Sequence, residues 1–129
     1  MIEILYIFIF SIIGFLIGLV ASLVPGMHIN NASLLILSIQ TIFWNLSESL
    51  GVEPLFIPLM ISSTIVSAYI ASTFSNIIPA TFLGAPEEDV ALTLLPAHSL
   101  LLKGRGYEAI VLSAIGSFGS AVLTLSLLV

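Results

Sequence analysis

The sequence predicts an all-α integral membrane protein, a bundle of about four to five membrane-embedded helices of which some are broken or re-entrant. Three observations predict it. Hydrophobic residues make up 59% of the chain and charged residues only 7%, against about a quarter charged in soluble domains. Apolar runs recur at roughly the 20-residue length that crosses a bilayer. Several of these runs are interrupted by Pro, Gly and Asn rather than by charged loops. The expected location is therefore the cell membrane, crossed several times, with the lipid bilayer as the first partner.

The same composition excludes other classes. Lys103 and Arg105 are the only strong cations, too few for a phosphate-binding stripe, so no nucleic-acid partner is expected. Without cysteine there is no disulfide, thiolate zinc site or cysteine nucleophile. Two histidines make a metal centre an unexpected feature. Ser, His and Asp occur, but no G-x-S-x-G arrangement supports a hydrolase, and no enzyme is expected.

The first helix reads from about Ile4 to Val24. Glu3 near the start and the length of the apolar run argue for a retained span over a cleaved leader. Gly14 and Gly18 form a small-xxx-small pair that lets another helix approach closely. Pro25-Gly26 then ends or breaks this helix, since proline lacks a backbone donor and glycine admits left-handed geometry. After Met27-His28-Ile29-Asn30-Asn31-Ala32 a short helix is expected from Ser33 to Leu46. Its 14 residues rise only about 21 Å, which favours a broken or re-entrant element. Asn45 to Pro54 reads as a polar loop.

A third segment runs from Leu55 towards Phe74 and carries Ser62, Ser63, Thr64, Ser67, Tyr69, Ser72 and Thr73. So many hydroxyls suggest bonding between helices or a polar cavity. Ser75-Asn76 and Pro79 are expected to break the pattern. Pro86 to Leu102 reads as another short helix with Glu87, Glu88 and Asp89 in its first turn, where acids suit the helix dipole. Lys103-Gly104-Arg105-Gly106 is the one basic loop and is assigned to the cytoplasmic side. The last helix, Tyr107 to Val129, aligns Ala109, Ser113, Gly116, Ser117 and Ser120 in a small-residue stripe suited to tight packing. That apolar run reaches Val129 with no polar flank, so a single transmembrane domain over 1–129, truncated or split from a longer reading frame, is expected.

Interrupted spans are also where chemistry is expected. Open backbone in hydrocarbon costs several kcal/mol per group, so it persists where protein or a watery cavity shelters it. Secondary transporters set substrate and ion sites at such breaks. The candidate path residues are Pro25, Gly26, Asn30, Asn31 and Ser33 at one break, and Ser75, Asn76, Gly84, Pro86, Glu87 and Asp89 at the other. A structural reading stands beside each. The asparagines suffice as caps of the following helix, and the acids suffice as dipole partners or solvated groups. His28 reads as a residue of the membrane interface, and His98 as a hydrogen-bonded structural residue. No cofactor is expected beyond a coupling Na+ or H+.

The order of these motifs resembles the large permease subunit of the tripartite tricarboxylate transporters, and its archaeal-type members in particular. The resemblance rests on Pro25-Gly26, the hydroxyl-rich third segment, the Asn76 and Pro79 interruption, and residues 84–120 (GAPEEDVALTLLPAHSLLLKGRGYEAIVLSAIGSFGS). Lys103-Gly104-Arg105-Gly106-Tyr107-Glu108-Ala109 is similar to that family's K-x-G-R-x-x-x-A pattern, with different spacing. Pro96-Ala97-His98 is similar to a Pro-Gly-His element. Gly84-Ala85-Pro86 departs from an Asn-Ile-Pro-Gly stretch common in the family. The resemblance implies one half of an inverted-repeat transporter, the N-terminal one, for ion-coupled uptake of a carboxylate. It implies as partners a second half or second copy, a small membrane subunit and an extracytoplasmic binding protein. The rival reading is a non-transporting subunit that packs against a partner through Ser113 to Ser120.

Overall fold

The computed structural model describes residues 2–84 and 91–128. Every regular element among them is helical: α1 (Ile2–Leu23), α2 (Ile29–Ser38), α3 (Gln40–Ser49), a 3-10 turn (Pro54–Phe56), α4 (Ile57–Ser75), α5 (Ile77–Leu83), α6 (Ala91–Leu102) and α7 (Gly106–Leu128). Three helical runs, Ile2–Leu23, Pro54–Leu83 and Gly106–Leu128, are long and apolar enough to cross a membrane. The chain divides into two compact units, Met1–Thr73 and Phe74–Val129.

In the first unit α1 packs on α4 through the glycine pair. A Cβ on Gly14 would overlap the carbonyl oxygen of Thr64, and one on Gly18 would overlap that of Ala68. The expected close approach is therefore present, with α4 as the partner. Two hydroxyls secure it across the gap: Thr64 Oγ1 donates to the Phe10 carbonyl at 3.3 Å and Ser67 Oγ to that of Ser11 at 2.7 Å. Phe10, Ile36, Val52, Ile57, Met60 and Ile61 form the main core, with Phe43 edge-on to Phe10 at 5.5 Å between ring centroids. Ala21, Ile29, Ala32 and Ala68 form a second cluster.

Several boundaries differ from expectation. The short helix expected over 33–46 is two helices, α2 and α3, meeting at Ile39 (φ −99°, ψ 12°). The polar loop is shorter than expected because α3 continues to Ser49. Gly51 then closes α3, with Gly51 N–H on the Glu48 carbonyl and Val52 N–H on that of Ser47. Around Asn76 the backbone stays right-handed helical (φ −63°, ψ −20°), and Ala80 N–H reaches the Asn76 carbonyl at 3.2 Å. The interruption there is slight: Pro79 has no N–H for the Ser75 carbonyl, while the helical course continues to Leu83.

In the second unit α5, α6 and α7 pack against one another. Gly106 begins α7 against Leu101 and Phe82, where a Cβ would come within 2.6 Å of Leu101 Cδ1. Pro96 lies inside α6. Ala109 is buried, whereas a Cβ added at Gly116 or Gly119 would meet nothing within 4 Å. The small-residue stripe of α7 is thus covered at its start and open further along.

Most helix hydroxyls fold back onto their own helix. Ser11 donates to Ile7 O, Ser33 to Ile29 O, Ser63 to Met60 O, Thr73 to Tyr69 O and Thr124 to Ser120 O, all at 2.8–3.0 Å. Of the hydroxyl-rich third segment, Thr64 and Ser67 do bond between helices, as that segment's composition suggests.

Candidate functional site

The first break is an elbow. At about 1.5 Å per residue the 22 residues of α1 rise about 33 Å, so Pro25-Gly26 follows a helix already long enough for a full crossing. Met27 N–H bonds the Val24 carbonyl at 3.1 Å across Pro25 and Gly26, and Gly26 has φ +83°. Proline second and a left-handed glycine third is the pattern of a type II turn. The chain then extends through His28 (φ −68°, ψ 140°) into α2.

His28, not an asparagine, caps α2. Its Nδ1 accepts the Asn30 N–H at 3.1 Å, and its carbonyl accepts the Asn31 N–H at 2.9 Å. Asn30 and Asn31 are helical residues of the first turn with exposed side chains. The capping reading of the asparagines is thereby overturned. On sequence that reading is the structural alternative to a path role, because asparagine is among the strongest capping residues. The signal that points to His28 is its place directly before an apolar helix and after a turn. Ser33 is buried and bonded to the Ile29 carbonyl.

At the second break Ser75 and Asn76 are buried, and Gly84 ends α5 in the left-handed conformation (φ 63°). Pro86, Glu87 and Asp89, with Glu88, lie outside the described residues. Thr81 is a further buried polar residue that the sequence reading did not single out; its Oγ1 has no hydrogen-bond partner among the described residues. Pro25, Gly26, Asn30, Asn31 and Ser33 belong to the first unit; Ser75, Asn76 and Gly84 belong to the second.

Two cavities accompany these features. One of about 480 Å³ in the first unit is walled by Leu16, Val20, Met27, Leu35 and Ile39 among others, all apolar. Such walls suit hydrocarbon and offer a carboxylate nothing to bond. One of about 280 Å³ in the second unit lies among Ile77, Pro96, Leu100, Ala109 and Ser113. Among the described residues no three His, Asp or Glu stand together as a metal site would require.

Residues 8–129 match the tripartite tricarboxylate transporter TctA family. The chain belongs to this family. As a TctA-family chain with three apolar helices of spanning length it is a membrane protein of a transporter family. It is 36% identical over 125 residues to an uncharacterized protein of Methanocaldococcus jannaschii, covering 97% of this chain and 27% of that one. This TctA-family chain therefore spans about a quarter of the length of the curated relative it matches. No solved structure matches it.

Proposed function

We propose that the chain is a permease component for ion-coupled secondary transport of a small organic anion, a carboxylate, and contributes to the N-terminal repeat half of the carrier. The reading rests on the α1–α2 elbow in a TctA-family chain. There a non-helical stretch separates two apolar helices, and Asn30 and Asn31 in the first turn of α2 have exposed side chains. Side-chain amide N–H groups suit a carboxylate, and carbonyls of a turn suit a cation. Ser75, Asn76, Gly84 and the acids Glu87 and Asp89 are the proposed contribution of the second break, with Na+ or H+ as the coupling ion. The partners proposed are the remainder of a family-length permease or a second copy, a small membrane subunit and an extracytoplasmic binding protein, as the word tripartite in the family's name implies.

The test is uptake of labelled carboxylates into proteoliposomes from the complete reading frame, under separate sodium and proton gradients. Asn30→Leu and Asn31→Leu are the informative variants, because both side chains are exposed and their loss leaves the core intact. Uptake should fall at least tenfold with normal membrane insertion. Uptake equal to wild type in both variants removes the elbow from the path. The open Gly116 and Gly119 face of α7 favours the rival packing subunit, which the same assay tests: that subunit moves no solute under either gradient.

A further inference from the structure

α3 begins at mid-span with polar side chains. Ile39 shares a cavity wall with Leu16 and Ile17 of α1, and Phe43 meets Phe10 of α1 edge-on at 5.5 Å. Those α1 residues bracket the midpoint of the Ile2–Leu23 helix, so the bend between α2 and α3 lies roughly 15 Å from either end of the span. The helical ladder of α2 stops at Ser38, and Ile42 N–H turns to the Ile39 carbonyl at 2.9 Å. A third cavity, of about 280 Å³, opens at this bend and is lined by Gln40, Thr41 and Trp44, all exposed. None of the three side chains has a hydrogen-bond partner among the described residues. On the same face of α3, three residues beyond Trp44, the Ser47 hydroxyl is wholly buried and likewise has no partner among the described residues.

Hydrocarbon is a poor solvent for such a surface. Unpaired amides and hydroxyls are costly there, and a helix interrupted at this depth persists beside protein or a water-filled cavity. The side chains present say what chemistry suits the cavity. The Trp44 indole can only donate, Gln40 carries an amide NH2, and Thr41 and Ser47 each carry a hydroxyl. Glu48, the acid of α3, lies two turns beyond Thr41, about 10 Å of helix away. Donors gathered without an acid suit an acceptor that carries negative charge, whereas an indole N–H offers a cation nothing. We infer that Gln40, Thr41 and Trp44 form a carboxylate-binding site at mid-depth in the first unit, with Ser47 as a reserve donor. It is distinct from the α1–α2 elbow, since Asn30 precedes Gln40 by about 15 Å of helix. The choice of a carboxylate rests on the transport reading above; the polar cavity at mid-span does not.

Trp44 is the sole tryptophan of the chain, so its fluorescence tests the site in the unaltered full chain in nanodiscs. Acetate, succinate and citrate are the probes, with acrylamide as the quencher from water and brominated acyl chains as the quencher from lipid. Acrylamide should quench free Trp44, and at least one carboxylate should change its emission saturably and protect it. Gln40→Leu and Thr41→Val remove exposed side chains and leave the core intact. Each should weaken that carboxylate about tenfold, the loss of one hydrogen bond to a charged group, with thermal unfolding unchanged; His98→Gln should leave the affinity as it is. The absence of a saturable response to all three probes overturns the site, as does quenching by brominated chains with none by acrylamide, which marks Trp44 as lipid-facing. Binding at Trp44 without uptake under either gradient keeps the site and removes the transport reading. Carboxylate uptake without a response at Trp44 does the reverse.

Discussion

Gly14 on α1 lies directly against the backbone of Thr64 on α4, and the Thr64 hydroxyl reaches back across the same contact to the Phe10 carbonyl. In lipid no hydrophobic force draws helices together, so such close packing and hydrogen bonding must hold the pair. Gly14→Ala and Gly18→Ala each put a methyl group into opposing backbone, which cannot rotate away. Each should cost roughly 1–3 kcal/mol, as overpacking does, read by thermal unfolding in detergent. The same substitution at Gly116, where space is open, should cost nothing measurable.

Thr64→Val keeps the shape of the side chain and removes its bonds to the Phe10 and Met60 carbonyls. Bonds between membrane helices average about 0.6 kcal/mol and reach about 1.7. A loss in that range is expected, with Thr64→Ser restoring most of it. Ser67→Ala, which loses the 2.7 Å bond to Ser11, should behave alike.

Gly26→Ala tests the elbow. The φ of +83° is costly for a residue with a Cβ, about 1–2 kcal/mol, although nothing crowds the position. Gly26→Asn should be milder than Gly26→Val, because asparagine tolerates this conformation. A flat ranking of the three in the same unfolding assay would rule out backbone strain as the reason for glycine.

Thr81 hides a hydroxyl with no bonding partner among the described residues. Replacing it by valine removes an unsatisfied polar atom at equal volume, so Thr81→Val should be neutral or stabilising. If uptake falls while thermal stability holds or rises, the hydroxyl serves the transported solute or its coupling ion.

Orientation is open to direct labelling, since the chain has no native cysteine. Lys103→Cys should react with an impermeant maleimide only from the cytoplasmic side, by the tendency of basic loops to stay inside. The neighbouring Arg105 is held by Glu108 in a two-pronged pair at 2.6 Å. Both partners are about half exposed, so Glu108→Gln should change stability by less than about 1 kcal/mol.

Long apolar runs and turn residues were legible in the sequence. α1 and α7 end within two residues of their expected bounds, because hydrophobic length alone dictates a span. Gly26 was legible because proline and glycine act through the backbone. The bend at Ile39 was not, since it contains neither residue and arises where α2 and α3 pack. At Asn76 local propensity misled: asparagine often ends helices, but here the Ala80 N–H keeps its carbonyl in the helical ladder. His28 was passed over as a cap because two better capping residues stand immediately beyond it.

The hydroxyls that turn back onto Ile7, Ile29, Met60, Tyr69 and Ser120 carbonyls bear on how the protein is made. A helix whose serines and threonines are satisfied internally leaves the insertion machinery with an outside that is effectively oil. It can wait in the lipid, alone, until a later helix emerges to meet it. Among the described residues, Thr64 and Ser67 of α4 donate to carbonyls of α1, which gives α1 a reason to wait for α4.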